Sequence, residues 1–266
     1  MKISVITDEI SSDLETAVEI ASDWGVKHVE IRKILGHRVP DGDLKVKQMK
    51  EIMSYYGVEV VAISPGVFKC SIEDLSAIKS HLENRLPRSI ELACDLGAKI
   101  IIVFGFRGES SEYGRYFNRM VNILGKAADY AAERDIILAL ENEHSCLADT
   151  GEKTANLVKA VKRENLRVNW DPCNAFMSGE NPLKGYEYVR DLVVHVHLKD
   201  AIIDKDAGKR KYVPIGEGEV NIFDQVKRLK ADGYKGCLSI ETHIKREKVK
   251  NTFKCFKKLK SFLESI

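Results

Sequence analysis

Short apolar runs recur along the chain, separated by longer stretches in which apolar residues fall every three or four positions. Eight of the runs read as strands, at residues 3–7, 28–32, 58–64, 99–105, 136–141, 167–171, 193–198 and 237–241. Most are continuous and rich in Val, Ile and Leu, the pattern of parallel strands buried on both faces. The stretches between them read as helices with recognisable ends. Ser12-Asp13-Leu14-Glu15 has the form of a capping box, with Ser12 as the cap and Glu15 reaching back. Gly25, Gly57 and Gly97 stand where helices stop, a left-handed position that costs glycine little. Thr150-Gly151-Glu152-Lys153-Thr154 opens a fifth helix and Asn221 or Asp224 a seventh. A last helix begins near Lys245 and places Val249, Phe253, Phe256 and Leu263 on one side.

Eight strand–helix repeats without an antiparallel hairpin signal predict an α/β protein, a single (β/α)8 TIM barrel domain spanning residues 1–266. An open doubly wound sheet is the alternative, but no Gly-x-Gly-x-x-Gly follows the first strand. Gly216-Glu217-Gly218 closes a polar loop rather than a strand, which argues against a dinucleotide site. Residues 201–218 form the longest irregular segment, and a loop of that length at a functional face is expected to be a lid or binding loop.

Charge adds mainly exclusions. Lys+Arg of 42 against Asp+Glu of 40 gives a net charge of +2, so no overall field favours nucleic acid or an anionic membrane. Eight Lys or Arg residues between Lys245 and Lys260 fit the solvated face of the last helix. No apolar run approaches the length of a membrane span. Acidic residues follow Met1 too early for a secretory signal, and six cysteines lie scattered without a Cys-x-x-Cys pair. The expectation is a cytoplasmic enzyme with reduced thiols, no nucleic-acid or membrane partner, and room for a homo-oligomer.

In such a barrel the site lies at the C-terminal ends of the strands. Four consecutive strands end in potential metal ligands: Glu141, Asp171, the His195-Val196-His197 pair, and Glu241. A charge that terminates a buried apolar strand is costly unless it is paired or ligates a cation. Three carboxylates and an imidazole suit one divalent metal ion, Mn²⁺, Zn²⁺, Co²⁺ or Mg²⁺. The strand register leaves Glu143 open beside Glu141, and the period of two leaves His195 open beside His197. Asp171 precedes Pro172, which fixes an extended exit. Glu30, Arg32, His144 and Lys199 leave strands at the same end as candidate substrate contacts, Arg107 could serve an anionic group, and Glu9 is similar.

Leu140-Glu141-Asn142-Glu143, Asn169-Trp170-Asp171-Pro172-Cys173-Asn174-Ala175, His195-Val196-His197-Leu198-Lys199-Asp200, Pro214-Ile215-Gly216-Glu217-Gly218 and Ile240-Glu241-Thr242-His243 together resemble the xylose-isomerase-like sugar phosphate isomerase/epimerase family. That resemblance spans the chain from Thr7-Asp8-Glu9-Ile10 onward and is densest between Ile136 and His243. It implies a metal held by Glu141, Asp171, His197 and Glu241, with Glu141 and Glu241 as the catalytic acid–base pair. It is a poor guide to substrate, because relatives include ketose epimerases, hydroxypyruvate isomerases, inosose-processing enzymes and dehydratases. The family's endonuclease IV branch binds three zinc ions, and here the chain departs from it. Asn174 stands where the nuclease has a histidine ligand, and Arg210 and Tyr212 stand where it has an Asp and a His.

The expected reaction is proton abstraction beside a carbonyl of a sugar, keto-sugar or polyol-derived substrate, through a metal-stabilised enediolate, giving an isomerase or epimerase. A dehydratase acting on a keto-inositol or keto-acid would use the same first step. A non-catalytic sugar-binding barrel is the reading of a different class.

Overall fold

The β-branched runs close into a barrel in the computed structural model, which describes residues 1–204 and 209–266. Its strands are β1 (Lys2–Ile6), β2 (His28–Ile31), β3 (Glu59–Val67), β4 (Ile100–Phe104), β5 (Ile137–Glu141), β6 (Leu166–Trp170), β7 (Val193–Leu198) and β8 (Cys237–Ile240). Each lies parallel to the next, and β8 closes on β1. Every predicted strand has its counterpart. The largest difference is β3, which runs on to Val67 because its pairing with β4 shifts register between Ile63 and Val67, around a left-handed Gly66.

Side-chain alternation divides the core in two. One set, between barrel and helices, holds most of the buried Val, Ile, Leu and Ala residues. The other lies inside the barrel, where Ala62, Ile102, Phe104 and Ala139 fill the β3–β5 side. The remaining strands turn buried polar groups inward instead: Ser4, Glu30, Asn169, His195, His197 and Ser239. A TIM-barrel interior is ordinarily packed with bulky branched residues. A polar half therefore needs a chemical reason.

Several expectations about the elements need correction. Asp13, not Ser12, caps the first helix, accepting from Thr16 N at 2.9 Å. Ser12 lies one residue outside, so Glu15 has no cap to reach back to. Residues 201–218 are not simply irregular: Asp200–Asp204 and Lys209–Val213 pair as an antiparallel ribbon, while residues 205–208 of that segment lie outside the described residues. A second short ribbon joins Lys33–Ile34 to His37–Arg38, so antiparallel hairpins do occur, outside the barrel. The last helix is Lys248–Ser265, and its buried residues are Thr252, Cys255, Phe256 and Leu259. Val249 and Phe253 remain more than a third exposed. Small Thr and Cys side chains join the inner face, which rotates it away from the predicted stripe. Two of its basic residues, Lys254 and Lys258, pair with Glu217 at 2.6 Å.

No helix among the described residues is long and apolar enough to cross a membrane. All six cysteines are free thiols. Thr150 caps the helix Gly151–Val161 by accepting from Lys153 N at 3.2 Å. At Gly151 an added Cβ would fall 2.2 Å from the Gly185 carbonyl oxygen, a backbone atom that cannot step aside. Gly151→Ala should therefore lower stability by about 1–3 kcal/mol. Urea unfolding checks this, as a fall in midpoint at constant slope.

Candidate metal centre

Three acidic side chains and one imidazole converge at the C-terminal end of the barrel. Glu141 closes β5, Asp171 follows β6, His197 lies near the end of β7 and Glu241 follows β8. All four are buried, and one ligand atom from each lies within 4.8 Å of the others.

Local structure aims each of them. Asp171 adopts an extended conformation ahead of Pro172 and caps the short helix Pro172–Met177, with Oδ1 accepting from Asn174 N at 2.9 Å. Its other oxygen, Oδ2, points into the cluster, where the Lys199 ammonium is its ion-pair partner. Asn142 holds the Asp171 backbone on both sides, accepting from its N–H and donating to its carbonyl, each at 2.8 Å. Glu141 accepts from Asn174 Nδ2 at 3.0 Å and from Asn169 Nδ2 at 3.3 Å. Glu241 accepts from Arg32 and from Lys199 Nζ, the latter at 2.9 Å, and lies 3.1 Å from His243 Nε2.

His197 Nδ1 faces Glu141 Oε2 and Glu241 Oε2, each at 3.4 Å, and is buried without a hydrogen-bond partner. That spacing matches the roughly 3.4 Å edge that metal bonds of about 2.1 Å set in a tetrahedral shell. A buried imidazole nitrogen without a hydrogen-bond partner, set among three carboxylates, makes the set fit a divalent cation.

The electrostatics are those of crowded negative charge held by fixed cations. Burial, with Glu141 and Glu241 adding to it against the pull of Lys199, pushes the Asp171 carboxyl up to about 6. Burial also works against ionised Glu241, but Lys199, His243 and His197 outweigh it and hold that carboxyl well below its usual range. Lys199 is buried with its Nζ 2.5 Å from Asp171 Oδ2; the surrounding carboxylates overcome its desolvation and raise its pKa well above normal.

The other predicted residues are distributed around this cluster. Arg32 is buried and bonds Asp8, Glu9 and Glu241, so it supports Glu241 from behind. His144 is partly exposed beside the site, 2.9 Å from Glu143 Oε1 and 3.2 Å from Asn174 Oδ1. Glu143 turns to His144 and Lys69, away from the four-residue set. Arg107 is exposed, its backbone N–H bonded to Cys70 O. Glu9 accepts from Thr242 and from the His243 backbone. Glu30 is placed differently from a substrate contact: it is fully buried inside the barrel, against His195 Nε2 and the side of His197 that faces away from the cluster.

Asn142, Asn169, Asn174 and His243 also serve the site, although nothing in the sequence beyond their position marks a role for them. Polar amides inside or just after apolar strands need a partner. Tyr212 on the ribbon packs its ring 5.2 Å from that of His243. The ribbon is pinned by Asp200, which accepts from Gly216 N at 2.9 Å and Gly218 N at 3.1 Å. A Cβ at Gly218 would lie 2.1 Å from Asp200 Oδ1, which explains that glycine.

The family model described as "Xylose isomerase-like TIM barrel" matches residues 18–259. The chain belongs to that family. Among relatives of this xylose isomerase-like barrel, the 3-dehydroshikimate dehydratase of Bacillus anthracis is 27% identical over 142 residues, 48% of this chain and 50% of that protein. A solved structure of an IolI protein with a bound zinc atom superposes with a TM-score of 0.83 at 19% identity, covering 100% of this chain and 99% of that one. A D-tagatose 3-epimerase-like protein gives 0.81 at 22% identity, covering 99% and 97%.

Proposed function

We propose that this barrel is a divalent-metal-dependent isomerase or epimerase of a sugar or keto-sugar, with Glu141, Asp171, His197 and Glu241 as the metal ligands. The observation that carries this is the cluster itself, two glutamates and an aspartate around a buried imidazole nitrogen that has no hydrogen-bond partner. An ion bound there would supply Lewis-acid polarisation of a carbonyl and its neighbouring hydroxyl.

The chain's own groups do the rest. Glu141 and Glu241 approach from strands three positions apart in the ring and supply two carboxylates beside the same carbon. One carboxylate oxygen removes the proton and the other side chain returns one, general acid–base catalysis worth about 10²–10⁴-fold. Asn169 and Asn174 orient Glu141, while Arg32 and Lys199 keep Glu241 ionised. Lys199 Nζ and the part-exposed His144 are the donors we assign to substrate oxygens, and Arg107 at the rim suits an anionic group. The ribbon carrying Tyr212 reaches the edge of the site, where the Tyr212 ring packs against His243.

A dehydratase is the second reading, favoured by the likeness to 3-dehydroshikimate dehydratase. It shares the proton abstraction and differs in losing a β-hydroxyl afterwards.

Incubation of Mn²⁺-loaded protein in D₂O with ketoses, keto-inositols and keto-acids tests both. We expect deuterium beside the carbonyl of an isomerised product, abolished by chelation. Loss of water from the substrate would select the dehydratase. Exchange that survives chelation, or none with any substrate and metal, would count against the whole proposal.

A further inference from the structure

Glu30 takes no part in the chemistry assigned above, yet it is a fully enclosed carboxylate of the barrel interior. Both of its oxygens lie 3.0 Å from His197 Nε2. Oε2 also lies 2.9 Å from His195 Nε2 and accepts from Ser239 Oγ at 2.9 Å, and Ser239 Oγ is 2.7 Å from Ser4 Oγ. The opposite nitrogen of His197, Nδ1, is the one that faces Glu141 and Glu241 without a partner. A neutral imidazole carries its proton on one nitrogen only, so an acceptor fixed at Nε2 leaves the Nδ1 lone pair free.

We infer that Glu30 is the positioning residue of the metal centre: by accepting the Nε2–H of His197 it selects the tautomer that ligates through Nδ1 and sets the plane of the ring. This rests on the metal-site reading above. His195 is not a spare ligand in this arrangement. It donates to the same carboxylate and, with Ser239, stops Glu30 rotating away from His197. The arrangement also explains why half of the barrel interior is polar. A carboxylate buried there would be costly alone, but it accepts from three donors and backs a cationic site. A carboxylate behind a ligating histidine raises its basicity, and losing the carboxylate typically weakens metal binding by about 10–100-fold.

The test uses the full-length protein with zinc as the probe. Zinc affinity is measured against a competing chelator for wild type and Glu30→Gln, and zinc-loaded, ¹⁵N-histidine-labelled wild type is examined by long-range ¹H–¹⁵N NMR. We expect His197 protonated at Nε2 and shifted by zinc at Nδ1, with the variant's affinity reduced about 10–100-fold. Zinc on Nε2 would overturn the inference from the wild-type spectrum alone, even if the variant failed to fold. Unchanged affinity in a folded Glu30→Gln protein would overturn it too, leaving the metal centre intact. Wild-type protein that takes up no zinc would instead remove the metal centre, and this inference with it.

Discussion

Glu241→Gln is expected to lower turnover by about 10²–10⁴-fold, measured at saturating Mn²⁺ on whichever substrate shows deuterium exchange. That is the loss of one member of an acid–base pair, the only role that saturating metal leaves exposed. Glutamine keeps the volume and one oxygen, so the cavity term that complicates truncation is absent. The neighbours retain partners as well. Arg32 still has Asp8 and Glu9, and Lys199 still has Asp171. The variant should therefore fold, with a far-ultraviolet circular dichroism spectrum like that of wild type. Saturating metal separates the two roles given to this residue. If activity returns as Mn²⁺ is raised, Glu241 is a ligand only; if it stays low with the ion bound, Glu241 handles the proton. Turnover within about threefold of wild type under all conditions would leave the two-glutamate mechanism without its second member.

The strands were legible because each is a nearly unbroken apolar run, and their charged ends were legible because such a charge is costly there. What was not legible depended on register and on distant partners. Glu30 sits one residue before the end of β2 and looks from the sequence like a residue of the mouth. The register that pairs it with Ile6 and, after a shift at Val29, with Ala62 turns it inside the barrel. The ribbon after β7 is not legible as strand because Lys209-Arg210-Lys211 has no apolar face to mark one. It is held instead by its own ladder and by Asp200 taking the amides of Gly216 and Gly218, residues 16 and 18 positions away. Asn142, Asn169 and Asn174 carry no charge to flag them, and asparagine is common at caps and turns for local reasons. Only the positions of Glu141 and Asp171 show what the three amides hold.

Adding Mn²⁺ or Zn²⁺ to chelator-stripped protein should raise its melting temperature by about 8 °C or more. An ion at 1,000 times its dissociation constant stabilises the native state by about 4.1 kcal/mol. For a chain of this size each kcal/mol moves the midpoint by roughly 2–4 °C. The ion-free cluster gives that increment its physical basis. Asp171 is buried among like charges, with its carboxyl pushed up to about 6, and Lys199 is the ammonium set against it. A divalent cation would meet that excess negative charge, satisfy His197 Nδ1 and share Asp171 Oδ2 with Lys199. Asp171→Asn supplies the control. Its side-chain oxygen can still cap the helix Pro172–Met177 through the Asn174 amide, Lys199 loses Asp171 but keeps Glu241, and one crowded carboxylate is removed, so the melting temperature without metal should stay near the wild-type value. The increment with metal should vanish, because the anionic oxygen aimed into the cluster is gone. An equal shift in wild type and Asp171→Asn would place the ion elsewhere on the protein, and no shift with any divalent ion would mean that these four side chains meet for some purpose other than holding one.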